Sequence, residues 1–388
     1  MDLRTHAGRS LPDDADRATL LARVFDPEVG GPCVAAVRGE RVVDLTAVAP
    51  TVAALLERAD AVAVARSAEG GRSWPLGELL EATLSGAETA RFLAPVDLQV
   101  VKAAGVTFVR SMLERVIEER AAGDPARAGE IRARVGAAVR GRIAQLRPGS
   151  DEAARVKEVL VAEGLWSQYL EVGIGPDPEI FTKAPVLSAV GTGAEIGVLA
   201  RSSWNNPEPE LVLAVTSAGA PVAATLGNDV NLRDFEGRSA LLLTEAKDNN
   251  SSCAIGPFLR LFDEHYTLDD ARRTEVSLDI TGSDGFVLHG VNPVSEISRD
   301  VTELISHAFG PHHRYPDGFV LFTGTMFAPT EDRDEPGQGF THKLGDVVRI
   351  SSPALGSLVN VVTTAEKAPD WSFGIGELMR NLAGRGAL

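Results

Sequence analysis

Cysteine is nearly absent from this sequence: only Cys33 and Cys253 occur among 388 residues. The two residues lie far apart and lack the spacing of metal ligands, which argues against a disulfide framework and against a zinc site. We therefore expect a protein that works in a reducing cytoplasm.

Long apolar runs are lacking as well. No segment reaches the roughly 18 unbroken apolar residues of a membrane-spanning helix. The N-terminus, residues 1–16, is polar and charged, without the apolar stretch of a signal peptide. The sequence thus predicts a protein that is neither exported nor embedded in a membrane.

Positive charge is scarce relative to negative charge. The chain has 38 Lys and Arg residues against 54 Asp and Glu residues, for a net charge of -16. Such a protein repels nucleic acid and acidic membrane surfaces, so we expect neither as a partner. A small anionic substrate would require a local positive site.

What the sequence does contain is an apolar hairpin pattern. Two apolar runs, residues 211–216 and 221–226, are separated by the turn-forming segment Ser217-Ala218-Gly219-Ala220. If Ala218 and Gly219 form the turn, Asp229 falls opposite Glu208 across the ladder.

Three carboxylates then meet at one end of this hairpin. Glu208 and Glu210 point to the same face because they are two residues apart on a strand, and Asp229 faces them. Like charges this close repel, and a bound cation is the simplest way to relieve the repulsion. Oxygen ligands favour Mg²⁺, with Mn²⁺ or Ca²⁺ as substitutes. The alternative is a solvated acidic strand end.

The rest of the chain divides into a β-rich start, a helical middle and a β-rich end. Strand-like runs at 33–37 and 41–45 predict a small N-terminal β-rich domain over residues 1–97, and the second domain spans 98–388. Helical spacing predicts helices at 51–59, 76–84, 109–123 and 151–173. Further strands are predicted at 186–190, 197–200, 275–280, 286–290, 318–322 and 346–350. The basic segment 127–147 is interpreted as a solvated amphipathic face.

Six motifs follow one another in a fixed order. They are Phe181-Thr182-Lys183-Ala184-Pro185, Glu208-Pro209-Glu210-Leu211, Gly227-Asn228-Asp229-Val230-Asn231-Leu232-Arg233-Asp234, Lys247 with Cys253-Ala254-Ile255-Gly256-Pro257-Phe258, Thr323-Gly324-Thr325, and Lys343-Leu344-Gly345-Asp346-Val347-Val348. Over about residues 100–365 this order resembles the fumarylacetoacetate hydrolase superfamily. The resemblance implies an α+β, β-rich fold: a mixed β-roll catalytic domain, a small β-rich N-terminal domain and a helical lid at about 109–173.

The resemblance also implies roles for individual residues. Glu208, Glu210 and Asp229 would hold the metal ion, in agreement with the hairpin. Lys247 would lie beside the ion, where it either forms an ion pair with the carboxylates or helps to bind an α-keto acid. Candidate substrate-binding residues are Thr325, Ser111, Lys183 and Arg233. Arg233 either steadies the metal ligands or reaches the substrate.

The sequence departs from the hydrolases of the superfamily at the lid. Those enzymes have a His-x-x-Glu dyad that activates water, whereas here Ser111 takes the place of the histidine and Glu114 is retained. Without the imidazole, hydrolysis of a carbon-carbon bond is harder. A dehydratase needs only a base and an acid, for which Glu114 and Lys247 are the catalytic candidates.

The lid helices and residues 247–252 resemble the branch that dehydrates 2-keto-3-deoxy sugar acids. This implies Mg²⁺-dependent conversion of 2-keto-3-deoxy-D-xylonate, or the D-arabinonate, to 2,5-dioxopentanoate (α-ketoglutarate semialdehyde) in non-phosphorylative pentose catabolism, by a homo-oligomer. Asn250 and Ser251 are candidates for holding substrate hydroxyls, although a polar surface loop fits them equally. The alternatives are an acylpyruvate carbon-carbon hydrolase and a non-catalytic relative that binds a metal and a keto acid. The identity of the base and the role of His342 stay open.

Overall fold

The computed structural model describes residues 3–129, 131, 146–326, 331–334 and 339–388. Most of the basic segment 127–147 lies outside these described residues. The strands are β1 (Leu20–Asp26), β2 (Gly31–Arg38), β3 (Arg41–Asp44), β4 (Ser73–Pro75), β5 (Arg91–Leu93), β6 (Val100–Gly105), β7 (Glu179–Ala184), β8 (Glu195–Val198), β9 (Asn205–Asn206), β10 (Pro209–Val215), β11 (Pro221–Asp229), β12 (Asn231–Leu232), β13 (Cys253–Leu261), β14 (Glu275–Thr281), β15 (Val287–Pro293), β16 (Phe319–Phe322), β17 (Val347–Ser352) and β18 (Gly356–Thr364).

The helices are α1 (Val52–Leu56), α2 (Ala61–Ser67), α3 (Leu76–Ser85), α4 (Val109–Ala121), α5 (Asp151–Ala162), α6 (Gln168–Ile174), α7 (Arg233–Glu236), α8 (Leu243–Lys247), α9 (Leu268–Arg272), α10 (Val301–Ala308) and α11 (Ile375–Gly384). Within the described ranges, no helix combines the length and the apolar character that a bilayer crossing requires.

A large sheet runs through the molecule in the order β4-β3-β2-β1-β13-β11-β10-β16-β6-β7, and β5 pairs with β1. A second sheet has the order β15-β14-β17-β18-β8. Side chains of β14 alternate between buried and more exposed positions, so one face of the second sheet is apolar. The main core lies between the two sheets, where apolar residues of β10 and β11 pack against those of β14, β17 and β18.

The N-terminal strands extend the large sheet. The predicted strands at 33–37 and 41–45 are confirmed as β2 and β3. β1 pairs with β13 through Leu20 opposite Arg260 and Leu21 opposite Leu259. The N-terminal region and the rest of the chain therefore share one hydrogen-bonded ladder, and the domain boundary near residue 97 stays a prediction.

The predicted hairpin is formed by β10 and β11. Glu210 lies opposite Gly227, and Ala214 lies opposite Ala223, which is the predicted register. The prediction of a two-residue turn is wrong, because the loop is one residue longer. Gly219, with a φ of +82°, belongs to the loop and donates its N–H to the carbonyl of Thr216. A register shift next to Val215 restores the alignment towards the acidic end.

The helices predicted in the middle of the chain are confirmed, with one change. The prediction at 109–123 matches α4 (Val109–Ala121), whereas 151–173 forms two helices, α5 and α6. The chain turns between them at Gly164, with φ +65°, and Ser167 caps α6 by accepting from the N–H of Tyr169. Apolar residues of α4, α5 and α6 form a separate small core.

Among the other predicted elements, one strand is wrong. Residues 186 and 187 form a turn instead, because Pro185 follows β7 and Leu187 adopts a φ of +64°. Of the predicted strand, Val190 makes an isolated bridge to Ala254. The predicted segment 197–200 overlaps β8, which begins two residues earlier. The strands β14, β15, β16 and β17 confirm the later predictions, as do α1 and α3 for the early helices.

Candidate metal centre and its cavity

Three buried carboxylates converge at the acidic end of the hairpin. Glu208, Glu210 and Asp229 each place an oxygen within 4.8 Å of the others, and each residue is at most 4% exposed. The backbone N–H of Asp229 donates to the carbonyl of Glu208 at 3.0 Å, which extends the ladder of β10 and β11 by one residue before the start of β10. The hairpin register thus positions all three side chains.

The electrostatics of this triad favour a bound cation. Burial, together with the negative charges of Asp229 and Glu208, raises the pKa of Glu210 well above its ordinary value. All three donors are carboxylate oxygens, and no histidine or cysteine belongs to the cluster in the part of the chain that the structure describes. The donor set therefore fits a hard divalent cation.

Two lysines approach the triad. Lys247, the last residue of α8, forms ion pairs with Glu208 and with Asp229 Oδ2, the second at 3.0 Å. Lys183 of β7 lies 2.9 Å from Asp229 Oδ1. Burial alone would raise the pKa of Asp229, but the two lysines outweigh burial and hold it below its ordinary value. The lysines therefore stabilise the charged form of Asp229, whereas the surroundings of Glu210 disfavour its charged form.

A guanidinium group from α4 completes this charge network. Arg115 forms ion pairs with Glu208, with Glu118 at 2.5 Å and with Glu236 at 3.2 Å. Helix α4 is thereby tied directly to one metal-ligand candidate and to α7. An arginine with three carboxylate partners is held in one orientation by their hydrogen bonds to its planar guanidinium group.

Arg233 occupies the next layer away from the triad. Its guanidinium contacts Glu118 at 2.6 Å and Glu114 at 3.6 Å, and it stacks on the Trp204 ring at 4.2 Å. These contacts join α7 to α4. They favour the supporting role for Arg233, and they show that Glu114 faces Arg233.

A cavity opens above the triad. Besides the three carboxylates, its polar and charged lining residues are Ser111, Arg115, Glu179, Glu236, Lys247 and Thr325. None of the described lining residues is a histidine. The structure thus brings together six of the residues singled out from the sequence: the triad, Lys247, Ser111 and Thr325.

Other residues singled out from the sequence lie elsewhere. Lys183 contacts Asp229, and Glu114 and Arg233 face each other beside the cavity without lining it. Asn250 and Ser251 line a separate surface cavity that also includes Trp371.

Three charged residues at the site escaped sequence reasoning. Arg115 directly follows Glu114, Glu179 precedes the Phe181 motif by two residues, and Glu236 follows Arg233 by three. Their closeness to the family motifs is the signal that could have found them. His342, whose role stayed open, is buried with Nδ1 3.3 Å from Asp346.

Comparison with known proteins places these features in a family. Residues 171–363 match the model of the fumarylacetoacetate (FAA) hydrolase C-terminal family. A "probable 2-keto-3-deoxyxylonate dehydratase" of Haloferax volcanii is 35% identical over 196 residues, which are 50% of this chain and 64% of that protein. The 2-dehydro-3-deoxy-D-arabinonate dehydratase of Saccharolobus solfataricus is 31% identical over 193 residues, 49% of this chain and 60% of that protein. The chain thus covers less than two thirds of each relative's length.

Solved structures show the fold. The apo form of 2-keto-3-deoxy-D-arabinonate dehydratase superposes with a TM-score of 0.62 at 22% identity, over 89% of this chain and 99% of that one. The same enzyme complexed with magnesium and 2,5-dioxopentanoate matches with the same score, identity and coverage. The predicted fold class, a strand-rich mixture of helices and sheets of the fumarylacetoacetate hydrolase type, is confirmed. The order of motifs, the shared fold and the family match agree, and residues 171–363 of this chain belong to the fumarylacetoacetate hydrolase C-terminal family.

Proposed function

We propose that the chain is a Mg²⁺-dependent hydro-lyase that converts 2-keto-3-deoxy-D-xylonate to 2,5-dioxopentanoate. The observation that carries this proposal is the buried triad with Lys247 in a cavity that no described histidine lines. Two similar proteins are named as dehydratases of such sugar acids. An enzyme of the same fold forms a complex with magnesium and 2,5-dioxopentanoate.

Glu208, Glu210 and Asp229 would hold Mg²⁺, whose charge polarises the 2-keto group of a bound substrate and makes its C3 proton more acidic. The ammonium group of Lys247 stabilises the negative charge that develops on the C2 oxygen. Its ion pairs with Glu208 and Asp229 keep it charged, which suits this electrostatic role better than that of a base.

Two further groups suit an anionic substrate. Thr325 offers its hydroxyl and backbone N–H to the substrate carboxylate at the cavity wall. Arg115 and Lys247 are the cationic side chains of the cavity lining, and together with the metal ion they would offset the carboxylates there and favour an anionic substrate. Glu114 stays a candidate base, and its carboxylate would have to move from Arg233 to reach the substrate.

The proposal includes the setting of the reaction. Cys33 and Cys253 are both free and buried, which suits a reducing cytoplasm. We place the enzyme there, in non-phosphorylative pentose catabolism and as a homo-oligomer.

A coupled assay tests the proposed function. Purified protein with Mg²⁺ and 2-keto-3-deoxy-D-xylonate should release a semialdehyde, detected as NADH formed by an added semialdehyde dehydrogenase. The activity should disappear with EDTA and in Glu210→Ala, and it should persist in Glu195→Gln, which changes an exposed glutamate of β8. A parallel assay with 2-keto-3-deoxy-D-arabinonate compares the two sugar acids.

Two outcomes contradict the proposal. Release of pyruvate from acylpyruvates without dehydration would indicate a carbon-carbon hydrolase. Metal-dependent binding of the keto acid without turnover of either sugar acid would indicate a non-catalytic relative.

A further inference from the structure

A second cavity lies at the surface, beside the chain that follows α8. Its volume is about 570 Å³, within the range of about 300–1,000 Å³ that small-molecule sites have. It shares no lining residue with the cavity above the triad. Three carboxylic acids line it, Asp248, Glu366 and Asp370, and none of its described lining residues is a lysine, an arginine or a histidine. A cavity with this lining favours a cation.

The segment that carries two of these acids is fastened in place. The Asn250 side-chain amide lies 3.1–3.3 Å from three backbone carbonyls, those of Ala365, Ala368 and Pro369. The carboxylate of Glu366 accepts from the N–H of Ala200 at 3.0 Å. These bonds hold the segment after β18 against the chain that follows α8, so the walls of the cavity are formed before a ligand binds.

Asp248 and Asp370 have no cation of their own. Within the described residues, neither forms an ion pair and neither carboxylate accepts a hydrogen bond. Partial burial raises the pKa of Asp248 above its ordinary value, although the positive charge of Lys183 opposes this effect. A cation bound in the cavity would stabilise the charged form of Asp248.

A buried hydroxyl in the cavity wall also lacks a partner. Ser251 is only 7% exposed, and no group of the described residues forms a hydrogen bond with its hydroxyl. The neighbouring Ser252, by contrast, donates to the carbonyl of Lys247 at 2.8 Å. Buried hydroxyl groups normally have a hydrogen-bond partner, and a ligand with N–H groups would supply one to Ser251. The unpaired carboxylates and this hydroxyl thus indicate a ligand with charged N–H groups.

The carboxylates of this cavity are too widely spaced for a metal ion. Among the described residues, the triad is the only group of three acidic, histidine or cysteine side chains whose ligand atoms lie close enough to hold one ion. Asp248, Glu366 and Asp370 therefore meet the cavity at separate points. This arrangement suits an elongated organic cation with two or more ammonium groups.

An aromatic ring completes the lining. Trp371 is 48% exposed, and its indole N–H donates to the carbonyl of Phe373 at 3.2 Å. An aromatic face binds ammonium groups and the methylene groups next to them. We propose that this cavity binds an aliphatic diamine or polyamine, a role that does not depend on the reaction at the triad. The ammonium groups of the ligand pair with Asp248 and Asp370, and one of them donates to Ser251. Its methylene chain packs on the Trp371 ring.

Isothermal titration calorimetry with spermidine, putrescine and butylamine tests the proposal, in Mg²⁺ and at physiological salt. Spermidine should bind in a single saturable step, more tightly than putrescine, and the monoamine butylamine should bind most weakly. Asp248→Asn and Asp370→Asn should each weaken spermidine binding by about 3- to 10-fold. Asp317→Asn is the matched control, because it removes an exposed charge from the turn before β16, and it should bind as the wild type does.

Tryptophan fluorescence gives a second readout at an exposed position, where substitution leaves the fold intact. Spermidine should change the fluorescence of the wild type but not that of Trp371→Phe. This variant should keep most of the affinity, because an aromatic ring remains. Trp371→Ala should lose affinity by about 3- to 10-fold.

Three results would overturn the proposal. The first is the absence of saturable binding of spermidine and putrescine by the wild type. The second is an equal loss of affinity in Asp317→Asn and in the cavity variants, which would indicate general attraction to an acidic surface. The third is loss of binding in Glu210→Ala, which would place the amine at the triad. A wild type that binds spermidine but dehydrates neither sugar acid would overturn only the proposed function.

Discussion

The backbone N–H of Gly324 donates a hydrogen bond to Oε2 of Glu210 at 2.6 Å. This bond ties the segment that follows β16 to the central carboxylate of the triad, next to Thr325 at the cavity wall. Gly324 has a φ of +95°, and an added Cβ would collide with Thr107 and lie 3.0 Å from the carbonyl oxygen of Ala104. Only glycine fits this position without displacing its neighbours.

Gly324→Ala should therefore weaken metal binding as well as folding. The strained backbone and the collision with Thr107 should lower the free energy of unfolding by about 1–3 kcal/mol, measured by urea denaturation. Displacement of the N–H from Glu210 should also reduce Mn²⁺ affinity. Gly345→Ala is the matched control, because Gly345 has a φ of +86° but open space around it. Equal Mn²⁺ affinities in the two variants would contradict the prediction.

Substitutions of two triad members should change the stability of the metal-free protein in opposite directions. The raised pKa of Glu210 means that its negative charge destabilises the fold at pH 7, so Glu210→Gln should raise the melting temperature in EDTA. The lowered pKa of Asp229 means that its charge stabilises the fold, so Asp229→Asn should lower it. Both variants should lose the stabilisation that Mg²⁺ gives to the wild type. Thermal unfolding with and without Mg²⁺ measures all of these changes, and shifts of the same sign in EDTA would argue against the charge distribution described.

Glu179 should make the stability of the metal-free protein depend on pH. Its pKa rises from an ordinary value of 4.5 to about 7 in the folded protein, so the unfolded chain binds fewer protons between these values. The contribution of Glu179 to the free energy of unfolding should therefore decrease as pH rises from 4.5 to about 7 and stay constant above. Urea denaturation of the wild type and Glu179→Gln over this range isolates the effect. Parallel curves for the two proteins would show that the pKa of Glu179 is not raised.

Both thiols should be unreactive in the native protein. Burial raises the pKa of Cys33 to about 11 and that of Cys253 to about 12, so neither forms appreciable thiolate at pH 8. Ellman's reagent should detect no thiol in the folded protein and two per chain in guanidinium chloride. Rapid reaction of the native protein would contradict the burial of these residues.

Asn250→Ala should affect folding more than substrate binding. The Asn250 side-chain amide lies 3.1–3.3 Å from the backbone carbonyls of Ala365, Ala368 and Pro369, and thereby fastens the chain after β18. Its loss removes hydrogen bonds from two part-buried carbonyls and an exposed one, and should lower the free energy of unfolding by about 1–2 kcal/mol. The KM for the sugar acid should stay unchanged. A raised KM with unchanged stability would instead support the substrate-binding role predicted from the sequence.

The register of the metal-bearing hairpin could be predicted from the sequence because strand geometry is local and periodic. The position of Asp229 opposite Glu208 follows from counting residues across the hairpin, and the error at the turn is cancelled by the register shift near Val215. The strand predicted at 186–190 failed because Pro185 and the positive φ of Leu187 override an apolar run. Pro185 is visible in the sequence as a turn signal, whereas the positive φ of Leu187 is not.

The charged residues that reach the cavity from outside the hairpin could not be predicted in the same way. Arg115, Glu179 and Glu236 come from α4, β7 and α7, and only tertiary packing brings them to the cavity. Their spacing in the sequence carries no periodic signal that connects them. The orientation of Glu114 towards Arg233 likewise depends on the packing of α4 against α7.

The pairing of β1 with β13 has a practical consequence for shortened forms of the protein. All nine residues of β13 are buried, and its other edge pairs with β11, which ends at Asp229. Removing the N-terminal strands would expose the edge of β13 at Leu259 and Arg260, where β1 pairs with it, together with the Phe258 side chain that packs against β1 and β2. Chains associate into aggregates through surfaces of this kind. Expression of residues 98–388 alone should therefore give insoluble material, and the N-terminal strands act as a permanent cover for the strand beside the metal ligands.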